Sequence, residues 1–314
     1  MIKGRDTTLD YLRGFAIMSI VMGHLYFFSH RAEGSVVWNI CNSIQIPIFI
    51  FVSGLLANKS VKKYSFQEFT RKRVSRLIIP FFSAFIIWLL IHGINSSNIF
   101  TFITDEFKQG FWFFLVLFEL TFIFALCILL SERLHICRFT LEISLFLIIN
   151  AYHFLVKDFT LVNQILSLNL LWHYYPIYIL GIYSRHLKML FQIKLSILYL
   201  LIYCFAFYSL FIKNIHVMLA VCNISSLFFL FTIFKHNYKV AEPAFNKAGR
   251  FSLEIYLLHI IVFGVIGDYI PVIMNRGVEA VAYFILAGII CYLFIIISVI
   301  LKKSKFINFI LFGG

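Results

Sequence analysis

Leu9-Asp10-Tyr11-Leu12-Arg13-Gly14-Phe15-Ala16-Ile17-Met18-Ser19-Ile20-Val21-Met22-Gly23-His24-Leu25-Tyr26-Phe27-Phe28 is apolar enough and long enough to cross a bilayer as one helix, yet it carries an arginine and a histidine. Eleven helical steps of about 100° return to nearly the same azimuth, and at about 1.5 Å per residue they hold Arg13 and His24 roughly 16 Å apart along the axis. One face therefore presents a guanidinium near one end and an imidazole near the other. A charge inside hydrocarbon costs at least about 2.5 kcal/mol, so the pair is expected to face a polar cavity and to have a function. The competing reading is an interfacial arginine that snorkels to the headgroups, with a histidine bonded to a neighbouring helix.

The rest of the chain has the same character. Of its 314 residues 61% are hydrophobic and 13% charged, with 39 Phe and 16 Tyr, a balance no water-soluble surface accommodates. Apolar runs fall at 9–29, 36–57, 77–94, 111–131, 139–156, 171–185, 192–212, 216–234, 251–270 and 280–301. The expected fold class is all-α: a polytopic membrane helix bundle of about ten transmembrane helices. The expected organisation is a single membrane-embedded domain over 1–314 with no appended soluble domain. The first run lacks a small-residue cleavage site and holds Arg13 and His24, so it reads as a retained span and not a signal peptide.

The net charge of +13 suggests nucleic acid only until its distribution is considered. With the N-terminus in the cytoplasm, 21 Lys and Arg fall on the inner side. Five fall outside: Arg31, Lys108, Lys157, Lys213 and Arg276. This is the positive-inside asymmetry, and with ten spans both termini are expected to be cytoplasmic. The six cysteines, Cys41, Cys127, Cys137, Cys204, Cys222 and Cys291, have no paired or metal-ligand spacing. Neither a disulfide framework nor a metal site is expected.

Further constellations follow along the chain. Asp10 lies three residues before Arg13, placed to pair with it. Phe49 to Gly54 ends the second run with Ser53 and Gly54, small enough for close helix approach, two residues beyond the bend of Pro47. Asn39, Asn42 and Gln45 bring hydrogen-bonding groups to the outer half of that helix. Arg71-Lys72-Arg73-Val74-Ser75-Arg76 puts four cations where a helix enters the membrane, a cradle for phosphate or for anionic headgroups. With Arg13 at the same depth, a phosphate-bearing cosubstrate is the better reading. Trp112 opens the fourth run from outside, and Glu119 lies two turns further in, near the depth of His24, where it can fix the histidine tautomer; the competing reading is a protonated Glu119 or one bonded to another polar group. Trp172, Tyr174 and Tyr175 suit an outer aromatic belt, and these rings with His173 equally suit stacking on a sugar. His259 falls near the bilayer midplane and reads as a helix-to-helix hydrogen bonder as readily as a catalytic group.

Together these segments resemble the acyltransferase-3 family of integral membrane acyltransferases. The resemblance lies in Leu9 to Ala16 with His24, Phe49 to Gly54, Arg73-Val74-Ser75-Arg76-Leu77 with Pro80, Trp112-Phe113, Tyr175-Pro176 with Gly181, and Ser252 with Ile255-Tyr256-Leu257-Leu258-His259. The family's hallmark Arg-x10-His falls on Arg13 and His24, and its second cytoplasmic arginine element on Arg71, Arg73 and Arg76. The resemblance implies transfer of an acyl group, most often acetyl, from cytosolic acetyl-CoA to a hydroxyl of a cell-envelope glycan such as O-antigen, capsule or exopolysaccharide. It implies no permanently bound cofactor, with acetyl-CoA as cosubstrate, and a place in the bacterial inner membrane among lipids and a carbohydrate acceptor that is free or lipid-linked.

On that reading His24, Arg13 and Glu119 are catalytic, and Arg13, Arg71, Arg73 and Arg76 hold acyl-CoA. Trp112, Trp172 and His173 face the acceptor, while Asp10, Ser53, Gly54 and His259 give structural support. His24 acts as general base or carries the acyl group itself. The roughly 16 Å from Arg13 to His24 calls for a pantetheine arm threaded along the first helix. The alternative from another class is a transporter or flippase of an envelope carbohydrate intermediate, working without covalent chemistry.

Overall fold

The computed structural model describes residues 7–314 apart from Arg31, Gly34, Lys62, 156–159, Arg185, Asn214, 216–217, 238–242 and Met274. The expected charges Arg31 and Lys157 thus lie outside the described residues. Among those described, all regular structure is helical: α1 Thr7–Phe28, α2 Val36–Val61, α3 Phe66–Arg73, α4 Ile79–His92, α5 Ser96–Thr104, α6 Trp112–Leu134, α7 Arg138–Leu155, α8 Thr160–Ile165, α9 Leu168–Tyr183, α10 Ser196–Phe207, α11 Met218–Asn237, α12 Pro243–Arg250, α13 Ser252–Ile266, α14 Arg276–Leu301 and α15 Lys305–Phe312.

Among the described residues, seven segments are long and apolar enough to cross a membrane: Thr7–Phe28, Val36–Asn58, Phe66–His92, Trp112–Leu134, Ile193–Phe211, Met218–His236 and Arg276–Leu301. The runs expected at 139–156, 171–185 and 251–270 fall on α7, α9 and α13, helices of 18, 16 and 15 residues. The third of these runs is shorter as a helix than its apolar sequence because the chain leaves α13 at Ile266 for a 3-10 turn, Gly267–Tyr269.

The chain packs as two compact units, one formed by residues up to Val52 with Tyr183–Ile300, the other by Ser53–Ile182 with Leu301–Gly314. In the first unit, α1 docks against α12 through two glycines. A Cβ on Gly14 would lie 1.9 Å from the Phe245 carbonyl oxygen, and one on Gly249 would lie 1.7 Å from that of Asp10. Only hydrogen fits at either crossing, which is how small residues bring helix backbones together. Tyr11 packs on Phe234 and Phe245 with ring centroids 4.9 and 5.1 Å away, which closes the same end of α1. A second aromatic cluster joins Phe51, Phe191, Phe228 and Phe231, with centroids 4.8 to 6.2 Å apart.

In the second unit, α3 begins with a capping box in which the Ser65 hydroxyl accepts from the Glu68 N–H while the Glu68 carboxylate accepts from the Ser65 N–H. A π-helical turn, Val74–Ile78, joins α3 to α4 without a break. α15 ties back onto this run, since the Ser75 hydroxyl donates to the Gly313 carbonyl (2.7 Å) and the Ser83 hydroxyl to that of Ile310 (2.8 Å). Gly54 sits where a Cβ would lie 2.2 Å from the Tyr178 carbonyl oxygen, the close approach expected of it.

Candidate active site

α1 is unbroken from Thr7 to Phe28, so Arg13 and His24 keep their eleven-residue spacing on one helical face. Its lower end is fixed by the Gly14 and Gly249 crossing and by Asp10, which is almost fully buried and pairs with Arg250 at 3.5 Å. In the sequence, local spacing points only to Arg13 as the partner of Asp10. Arg250 was missed because a partner 240 residues away leaves no local spacing signal.

α13 follows directly from the docked α12 and carries His259 to the level of His24. The Nδ1 of His24 and the Nε2 of His259 are 2.8 Å apart, and the rings lie near parallel, 25° apart with centroids at 4.9 Å. The Nδ1 of His259 is 2.8 Å from the Ile255 carbonyl. His259 has no exposed surface and is walled edge-on by Tyr256 and Phe263, each at 5.7 Å, whereas His24 remains partly exposed. Within this unit the ring nitrogen paired with His24 Nδ1 is Nε2 of His259. On the other flank of α1, a Cβ on Gly23 would lie 3.3 Å from Gln45 Oε1, a buried atom with no hydrogen-bond partner. Gln45 is thus placed beside the His24 backbone, as the polar side of α2 suggested.

The second unit holds the remaining candidates. Arg71 and Arg76 are exposed, while Arg73 is partly buried over the Phe69 ring, 4.9 Å from its centroid. Arg76 lies within the π turn. The fourth cation, Lys72, sits 3.3 Å over the Tyr64 ring, and its hydrogen bond and charge, with the charge of Lys63, pull the Tyr64 hydroxyl below its usual range. The hydroxyl of Tyr178, within electrostatic reach of Arg73, is fully buried and makes no hydrogen bond. Sequence reasoning missed it because a tyrosine beside Pro176 reads as an interface anchor.

Glu119 is two turns into α6, with Oε2 buried and without a hydrogen-bond partner. Its charged neighbour is Lys108, whose ammonium donates to the carbonyls of Ile103 (2.9 Å), Asp105 (2.7 Å) and Gln164. Burial draws the Lys108 ammonium below the ordinary lysine range against the opposing pull of Asp105, Glu119 and Glu106. Trp112 stacks on Tyr174 with centroids 5.5 Å apart, and His173 meets the same ring edge-on at 4.8 Å. Trp172 Nε1 donates to Asn150 Oδ1 at 2.7 Å. Tyr175, expected in the outer belt, is instead buried, stacked on Phe146 at 5.9 Å, with its hydroxyl donating to the Glu142 carbonyl. Ser53 is partly buried next to Gly54, inside α2, which continues beyond both to Val61.

A family profile described as an acyltransferase domain, acyltransferase-3, matches residues 6–301 of this chain. No curated protein and no solved structure matches it significantly.

Proposed function

The chain belongs to the acyltransferase-3 family and is a multi-pass membrane acyltransferase, and we propose that it moves an acetyl group from cytosolic acetyl-CoA to a hydroxyl of a cell-envelope glycan. The proposed setting is a bacterial inner membrane, with both termini in the cytoplasm. Acetyl-CoA is a cosubstrate, and the reading needs no resident cofactor or metal.

The observation that carries this reading is the face of α1. Arg13 stands at the end docked to α12, and His24 stands eleven residues on, partly exposed and held at one ring nitrogen. A guanidinium offers phosphate a planar, bidentate fork, and the candidates for the donor phosphates are Arg13 in the first unit and Arg71, Arg73 and Arg76 in the second, each taken by itself. The pantetheine arm then runs along α1 toward His24. As general base, His24 takes the proton of the acceptor hydroxyl while that oxygen bonds to the thioester carbonyl carbon. The C–S bond breaks, and the departing thiolate regains the proton from the imidazolium. As nucleophile, His24 bonds to the thioester carbonyl carbon while the C–S bond breaks and coenzyme A leaves as thiolate; the acceptor hydroxyl oxygen then displaces the imidazole from the acyl carbon, and its proton passes to the thiolate. Either course uses the ring nitrogen that His259 leaves open. In the second unit Trp112, Trp172 and His173 are the ring faces proposed for a sugar, and Glu119 is the proposed buried carboxyl.

The test uses the purified protein in vesicles with acetyl-CoA and a lipid-linked envelope glycan. Glycan-dependent release of free coenzyme A thiol supports the proposal. Movement of the glycan across the vesicle with no thiol released would assign the chain to transport instead.

A further inference from the structure

His24 has two ring nitrogens, and the reaction needs one of them bare. We propose that His259 is a positioning residue: it holds the proton of neutral His24 on Nδ1, so that Nε2 carries the lone pair that works on the substrate. The catalytic half of this inference rests on the acyl-transfer reading above, and the tautomeric half rests on geometry alone.

The argument runs from the backbone outward. The Ile255 carbonyl can only accept, so the contact at 2.8 Å places a proton on Nδ1 of His259. A neutral His259 then has a bare Nε2, which can only accept. The nitrogen 2.8 Å from it, His24 Nδ1, must therefore be the donor. With its one proton on Nδ1, neutral His24 is left with a bare Nε2. Imidazole side chains in water favour the opposite tautomer, so this arrangement must be imposed, and the bond made by one ring nitrogen is what fixes the state of the other.

The surroundings suit the task. His259 has no exposed surface and lies between Tyr256 and Phe263, so its ring is fixed and water cannot take its place. A neutral acceptor also avoids burying a carboxylate at membrane depth, where an ion is costly. When His24 takes a proton at Nε2 and becomes charged, its bond to His259 becomes charge-assisted and shortens, which favours the protonated intermediate of the transfer. This is the part played by the aspartate of a serine-protease triad, performed by a second imidazole.

The test compares the wild-type protein with His259→Gln and His259→Leu. The glutamine amide oxygen occupies the place of the histidine Nε2 and can accept from His24 Nδ1–H, while leucine cannot. Nitrogen-15 NMR of labelled histidine, with the His24→Ala spectrum identifying the resonance, reads the tautomer of His24 directly. The expected wild-type result is a proton on Nδ1. His259→Leu should move it to Nε2 and lower kcat by about 10²–10⁴-fold, leaving KM for acetyl-CoA in place, because only proton transfer is lost. His259→Gln should restore the tautomer and most of the turnover.

A wild-type His24 protonated at Nε2, or a leucine variant with wild-type tautomer and turnover, overturns the proposal. Should the leucine variant fail to fold, the wild-type spectrum and the glutamine variant still decide. A wild-type protein with the Nδ1 tautomer and no acyl transfer from any thioester would overturn the acyl-transfer reading, and the catalytic half with it, while upholding the tautomeric half.

Discussion

Gly249 approaches Asp10 so closely that a methyl group on its Cα would lie 1.7 Å from the Asp10 carbonyl oxygen. Gly14, one turn along α1, is under the same constraint against the Phe245 carbonyl at 1.9 Å. Both opposing atoms belong to the backbone, so no rotamer change can relieve the clash. Gly249→Ala and Gly14→Ala should each force α12 away from α1 at a cost of about 1–3 kcal/mol. Thermal unfolding in detergent should show both variants melting below wild type. Because α13 follows from α12, the His24–His259 bond should loosen and acyl transfer should fall as well.

Cys137 provides a probe of orientation. It is exposed in the turn between α6 and α7, and the backbone N–H groups of Thr140 first and then Phe139 hold its thiol below the usual value. A membrane-impermeant maleimide should label it in inside-out vesicles and spare it in right-side-out ones. A lowered thiol pKa puts thiolate in the population at lower pH, so the rate of labelling should rise with pH and level off below the range of an unperturbed cysteine. Labelling from the outer side only would invert the proposed topology.

Lys108 holds together a turn with three consecutive left-handed residues, Lys108, Gln109 and Gly110, at φ 48°, 53° and 96°. Asp105 supports the same turn, accepting from the Phe107 and Gln109 N–H groups at 3.0 and 2.7 Å. Lys108→Met retains the aliphatic stem but leaves carbonyls of Ile103, Asp105 and Gln164 without that donor. A loss of about 1–3 kcal/mol is expected, read as a lower melting temperature. Unchanged stability would mean that these carbonyls find other donors.

Substitutions of the cationic groups should separate by kinetic constant. Arg71→Ala, Arg73→Ala and Arg76→Ala should raise KM for acetyl-CoA and leave its chemistry less affected, the pattern of lost binding energy. Arg13→Lys keeps the charge but not the planar fork, and should be impaired as well. Steady-state kinetics with varied acetyl-CoA decides both points, and equal activity of Arg13→Lys and wild type would show that position 13 supplies charge alone.

The long helices were legible because hydrocarbon demands long apolar runs, and among the described residues each run expected as a span falls on helical structure. The family was legible because its residues recur in order from Leu9 to His259, which one motif alone would not establish. The capping box of Ser65 and Glu68 also has a sequence signature, Ser-x-x-Glu, ahead of the arginines. Contacts between distant residues were not readable. Neither His259 with His24 nor Arg250 with Asp10 leaves a local pattern, since each depends on how α12 docks on α1. Tyr175 misled for a related reason: an aromatic residue near the end of a span has the same sequence signature whether it meets headgroups or stacks on Phe146.

Mass spectrometry of envelope polysaccharide from otherwise identical cells carrying wild-type protein or His24→Ala, with matched membrane levels of each, tests the central claim most directly. The account predicts glycan heavier by one acetyl group per modified unit with wild type, and no such species with His24→Ala. Identical glycan masses in the two strains, or full acetylation in the His24→Ala strain, would contradict it.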